Sequence, residues 1–170
     1  MPYHLAQVNI ARLRAALDSE ELADFVAALD PVNASADEAV GFVWRLQTED
    51  GNATAVRAFE WDAAGSAGVI VNVSVWESVD ALATWMYGDL HRQVLRRRRQ
   101  WFHRVEEATS ALWWVPEGHR PTTKEAEHRI RHLRQTGPTP LAFDFRRAFP
   151  PPDQPRSPSD RKRPHWHCPA

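Results

Sequence analysis

The chain has 170 residues, 43% of them hydrophobic and 25% charged, with a formal net charge of −1. That length suits one domain, and so small a charge provides no bulk attraction to nucleic acid or to an anionic membrane. The lone cysteine, Cys168, excludes an intrachain disulfide. No apolar stretch approaches bilayer length, and the opening residues lack the basic and apolar regions of a secretory signal, so a cytoplasmic location is expected.

"YHLAQVNIARL", residues 3–13, reads as a first strand with Ala6, Val8 and Ile10 on one face and Leu5, Gln7 and Asn9 on the other. "LDSEELADFVAALDP" follows at helical spacing, with Leu22, Phe25, Val26 and Leu29 on one stripe, an Asp18/Glu21 capping box and Pro31 as its stop. A further helical turn, "ASADEAV", precedes Gly41. "GFVWRLQT" is a second strand, the Asp50-Gly51-Asn52 cluster a loop, and "TAVRAFEW" an extra short strand.

"VIVNVSVWES", residues 69–78, is the third strand, and its two faces differ. Val69, Val71, Val73 and Val75 form an aliphatic row, whereas Ile70, Asn72, Ser74 and Trp76 mix an amide, a hydroxyl and an indole. Ser78 caps a long helical region over 79–107, broken near Gly88. "SALWWVPE" is a fourth strand, "PTTKEAEHRIRHLRQTG" a helix between a Thr122/Glu125 capping box and Gly137, and "PLAFDFRRAF" a fifth strand.

This order predicts an α+β domain: a ferredoxin-like split βαβ sheet with an appended helix and strand, helices on one face. The other face would then be bare and apolar, which predicts a homodimer that pairs two sheets into a dimeric α/β barrel. The domain is expected over 1–150. Residues 151–170, rich in proline, serine and charge, are expected to be a disordered tail.

"LAQVNIARLRA", "GFVWRLQ", "NVSVWES", "VLRRRRQWF", "LWWVPEGHRPT" and "GPTPLAFDFRRAF" together resemble a bacterial dimeric α/β-barrel family of unknown function, domain-of-unknown-function family 3291, over roughly residues 3–149. The wider superfamily resembled includes antibiotic-biosynthesis monooxygenases, haem-degrading monooxygenases and muconolactone isomerases. The haem-degrading members use an asparagine on the first strand, a tryptophan on the third and a histidine on the following helix. Asn9, Trp76 and His91 resemble that trio in type and order.

The polar face of the third strand then becomes a candidate small-molecule site. Asn9, Trp76 and His91 are its candidate catalytic residues. Gln7, Trp44, Asn72, Ser74, Tyr87, Trp113 and His119 are candidate substrate contacts, with Tyr87 and His91 four apart on one helical face. A buried amide without a partner costs about 1–3 kcal/mol, so Asn72 and Ser74 are expected to need internal or ligand-borne partners.

The resemblance implies an oxygenase acting on an aromatic or polyketide-like molecule, in one of two modes. Without a cofactor, His91 would be the base, and Asn9, Gln7 or Asn72 would hold the developing enolate oxygen. With haem, His91 or His119 would ligate iron. The alternative is a non-catalytic dimer that binds a metabolite or haem.

Other features point elsewhere. The four arginines at 96–99 span just over one helical turn and read as a solvated face, so no nucleic-acid partner is expected. His128 and His132 read as surface histidines, and "HWHC" near the C-terminus is a weak candidate for a soft metal.

Overall fold

The first strand becomes a central one. In the computed structural model, which describes residues 2–154, β1 (Tyr3–Arg12) pairs antiparallel with β3 (Val69–Trp76) on one side and β4 (Ser110–Pro116) on the other. The short β2 (Phe42–Arg45) borders β3, which gives the order β2-β3-β1-β4. α1 (Ala23–Asp37) connects β1 to β2, and α2 (Val79–Met86) and α3 (Asp89–Trp101) connect β3 to β4. α4 (Thr123–Thr136) follows the sheet. This is the split βαβ arrangement in an α+β domain.

Cross-strand partners share a face, so the registers sort the side chains. Ala6, Val8 and Ile10 join Val71, Val73, Val75, Ala111, Trp113 and Val115 on one side. The sequence left this face bare; the structure seals it. α4 sets Ala126, Ile130 and Leu133 against it, and Phe59 packs beside them. The polar face of β3 looks the other way, toward α1, α2 and α3. Within one chain this aliphatic face is therefore buried.

The cover is fastened at its edge. Asp62, 4% exposed, accepts from Arg12 at 2.7 and 3.1 Å and from Arg134 at 2.7 Å. Burial raises the Asp62 carboxyl, but the bonds from Arg12 and Arg134 outweigh it and hold the group below the usual carboxylate range. Phe59 adopts a left-handed φ of 58°, costing about 1–2 kcal/mol, while its N–H donates to Glu127 at 2.7 Å.

α4 starts and stops as its sequence dictates: Thr122 accepts from the Glu125 N–H, and Gly137 takes a φ of 72°. Ser78 likewise accepts from the Ala81 N–H at the start of α2. Gly41 must be glycine, because its φ is 81° and a Cβ there would lie 2.6 Å from the Ala81 side chain.

Several elements depart from expectation. Pro31 does not stop α1, which runs on to Asp37. The N–H that proline lacks would have served Ala27, and both residues are exposed, so water can serve that carbonyl. The Asp18/Glu21 capping box is absent: a 3-10 turn, Glu20–Leu22, leads into α1 with no side-chain cap. Val26 is exposed while Leu22 and Phe25 are buried. Residues 54–61 form no strand, and a 3-10 turn at Glu60–Asp62 ends that segment. The fifth strand shrinks to a single bridge to the sheet, Leu112 to Phe143, beside a local Thr139–Ala142 bridge, because Asp144 caps a 3-10 turn at Phe145–Arg147 and turns the chain away. α3 ends at Trp101, well before residue 107. Most of the tail expected at 151–170, residues 155–170 with "HWHC", lies outside the described residues.

Candidate functional site

The registers stack the helix-side face of the sheet into rows. Leu5 stands between Trp76 and Trp114, Gln7 between Ser74 and Leu112, and Asn9 between Asn72 and Ser110. Leu5, Trp76 and Leu112 are sealed beneath α1 and α2, with Ala36, Val79 and Leu82 packed on them. Asn9 and Asn72 are exposed, although β1 and β3 are the central strands. The helical layer therefore leaves an opening above the asparagine pair.

Behind that opening runs a buried hydrogen-bonded chain. Trp76 Nε1 donates to Ser74 Oγ at 2.9 Å, and Ser74 Oγ donates to Gln7 Oε1 at 2.8 Å. Gln7 is 6% exposed and Ser74 5%, so this chain meets most of the polar demand that their burial creates.

An aromatic stack leads from Trp76 to His91. Phe42 meets Trp76 edge-on at 5.3 Å, Trp85 lies 5.3 Å from Trp76, and His91 lies 4.5 Å from Trp85. His91 Nδ1 sits 2.9 Å from the Met86 carbonyl oxygen. A carbonyl can only accept, so Nδ1 carries the proton and the lone pair of a neutral ring falls on Nε2. Burial pushes the imidazole below its ordinary 6.5, and the Met86 bond acts the other way without cancelling it. The result is a neutral imidazole with a basic Nε2, fit to remove a proton or to ligate a metal. Rows on a strand lie about 7 Å apart, so the Trp76 end and the asparagine row are about 13 Å apart.

Not every candidate joins this face. Trp44 pairs with Val75 and Trp113 with Ala6, so both point into the aliphatic core on the far side of the sheet. Trp113 Nε1 donates to Glu125 on α4 at 2.8 Å. His119 belongs to that side too: its Nε2 donates to Glu125 Oε2 at 2.8 Å, and its side chain is 42% exposed. It therefore does not fit as an iron ligand beside Trp76. Burial raises Glu125, yet the bonds from His119 and Trp113 hold it below its ordinary value. Tyr87 caps the end of α2 while His91 lies in the first turn of α3, so Gly88, extended at ψ 155°, separates them. Those two residues share no continuous helical face.

Sequence reasoning missed Ser110, which extends the Asn9–Asn72 row, and Trp85, which joins Trp76 to His91. Ser110 was within reach, since it alternates with Leu112 along β4; Trp85 carried no signal beyond its helical position. A separate open groove of about 490 Å³ lies past the end of this face, with Leu13, Leu17, Val56, Val69 and Ile70 in its lining. None of the candidate residues lines it. Among the described residues, no group of three or more His, Cys, Asp or Glu side chains could hold a metal ion, and no helix is long and apolar enough to cross a membrane.

A family model described as a domain of unknown function, DUF3291, matches residues 4–160. The chain belongs to that family. No curated protein matches this DUF3291 chain. Solved structures similar to part of it include SnoaB, a cofactor-independent oxygenase from Streptomyces nogalater, at 18% identity. That similarity covers 70% of this chain and 95% of the other, with a TM-score of 0.41. Rv0793 from Mycobacterium tuberculosis is similar at 12% identity over 70% of this DUF3291 chain and 99% of its own, with a TM-score of 0.43. A protein of unknown function from Nitrosomonas europaea, NE2512, is similar at 10% identity over 71% and 95%, with a TM-score of 0.40.

Proposed function

We propose that the opening above Asn9 and Asn72 is a binding site for a small, largely aromatic molecule, and that His91 acts there as a general base in a cofactor-independent oxygenation. One observation carries this reading: two amide side chains on central strands stay open to solvent beside the Gln7–Ser74–Leu112 row, which the helical layer closes. The covered Gln7–Ser74 row lies between the asparagines and the aromatic stack, so this reading requires the helical layer to part over that row and admit one extended conjugated molecule. His91 Nε2 would remove a proton from a phenol or an enolisable carbon. The amides of Asn9 and Asn72 would hold the oxygen on which charge develops. The resulting anion is electron-rich enough to be oxidised by dioxygen.

Oxygen consumption on adding an anthrone, with the wild type set beside His91→Ala and Asn72→Ala, tests the reading. The expected result is uptake by the wild type and at least a tenfold loss in each variant. Equal uptake by all three would reject His91 as the base.

The second reading is non-catalytic binding of a metabolite or of haem. It draws on the same nitrogen, because a histidine whose Nδ1 proton is held by a carbonyl presents Nε2 as a ligand. Haem would supply redox chemistry if bound, and a shift of the haemin absorption band that His91→Ala abolishes identifies this case. Both readings keep the expected homodimer, and neither depends on a residue from the second copy.

A further inference from the structure

We propose that Gln7 presents its amide N–H groups, and not its carbonyl, to this site, so that it selects ligands carrying a hydrogen-bond acceptor such as a ketone or quinone oxygen. The proposal rests on the small-molecule reading above.

The direction follows from the chain of donors behind Gln7. An indole nitrogen can only donate, so Ser74 Oγ must accept from Trp76 at 2.9 Å. Ser74 then has one proton to place. Gln7 lies 2.8 Å away, and no other described group is bonded to that hydroxyl. Turning the amide round would set an N–H against Ser74 Oγ and leave the hydroxyl proton without an acceptor at a residue only 5% exposed. A buried donor without a partner is strongly disfavoured. The carbonyl oxygen of Gln7 is therefore committed inward and Nε2 is left with its two protons. No described residue accepts them, and Gln7 stands in the row next to the open Asn9–Asn72–Ser110 row.

This changes what Trp76 does. Its N–H is engaged by Ser74, so the indole does not offer that proton to a ligand. Trp76 and Ser74 are positioning residues that fix the polarity of Gln7, two strand positions away from the asparagines.

Two tricyclic probes of matched shape read that polarity. 9-Fluorenone carries a carbonyl acceptor at the central position, and carbazole an N–H donor. Their affinities for the full chain can be measured by ligand-detected NMR. The wild type should bind fluorenone about fivefold more tightly than carbazole, the effect of one net hydrogen bond. Gln7→Met should still bind both while bringing the ratio to about one. Ser74→Ala leaves Gln7 in place but frees its amide to turn, so the ratio should fall there as well, even if Gln7→Met does not fold. A wild-type ratio near one, or a ratio that persists in a folded variant, would overturn the donor polarity and leave the site standing. Binding of neither probe to folded wild-type protein would overturn the small-molecule reading and this proposal with it.

Discussion

The imidazole of His91 rests against the indole of Trp85, ring centroids 4.5 Å apart and planes tilted by 46°. That contact helps keep the histidine out of water, and burial keeps it neutral. The folded protein thus binds fewer protons at this site than the unfolded chain just below the ordinary value of 6.5. Stability from His91 is complete above 6.5 and declines as the pH falls from there toward the lower folded value. His91→Gln removes this slope. Melting temperatures at pH 7.5 and 5.5 should therefore fall further for the wild type than for the variant. An equal fall in both would mean that the histidine is not held neutral.

Asn72 and Val73 are neighbours on β3 that face opposite ways. Val73 is fully buried, and Val73→Ala should cost about 2 kcal/mol in urea denaturation while leaving probe binding unchanged. Asn72 is exposed, and Asn72→Ala should stay within about 0.5 kcal/mol of the wild type and weaken binding. The reverse pattern would mean that the faces are exchanged.

Asp62 joins two arginines on separate elements, Arg12 on β1 and Arg134 on α4. Asp62→Asn should cost about 3 kcal/mol, because it leaves both guanidinium groups without their counter-charge in a partly buried site. The folded-state value of Asp62 is depressed, so its stabilisation is present above the ordinary 3.8 and is lost as the pH falls through the lower folded value. Acid titrations of stability should diverge above 3.8 and converge at the acid end. Parallel curves for the two proteins would show that the carboxylate contributes nothing.

Gly41→Ala puts a methyl group 2.6 Å from the Ala81 side chain at a φ of 81°. The expected cost is about 1–3 kcal/mol, read as a lower melting temperature. Gly51 also has a positive φ but has open space around it, so Gly51→Ala should be milder. If the two variants melt together, the contact with Ala81 does not constrain the turn.

Much of this fold was legible because the alternation along β1 and β3 and the caps of α2 and α4 are local signals. The two faces of β3 separated cleanly, since valines alternate with Asn72, Ser74 and Trp76. β4 gave no such separation: Ala111, Trp113 and Val115 on one face and Leu112 and Trp114 on the other are apolar alike. Only the register with β1 settles which tryptophan looks toward the polar face, and it is Trp114. The fate of the aliphatic face was equally hidden. α4 has an apolar stripe in its sequence, but a stripe does not state which side of a sheet it will cover. His91 was found by residue type, and its partner Trp85 only by structure.

The sheet order β2-β3-β1-β4 also governs when this protein can fold. β1 is made first, yet both of its neighbours are made much later: Gln7 meets Ser74 across 67 positions of sequence. At translation speeds of about 5–20 residues per second, that strand waits several seconds on the ribosome for its first partner, with both edges unpaired. Its apolar residues alternate with Gln7 and Asn9, which breaks the continuous apolar run that would invite strand-to-strand aggregation. The side chains we place in the binding site are therefore expected also to lower the tendency of the unpaired strand to aggregate before β3 arrives.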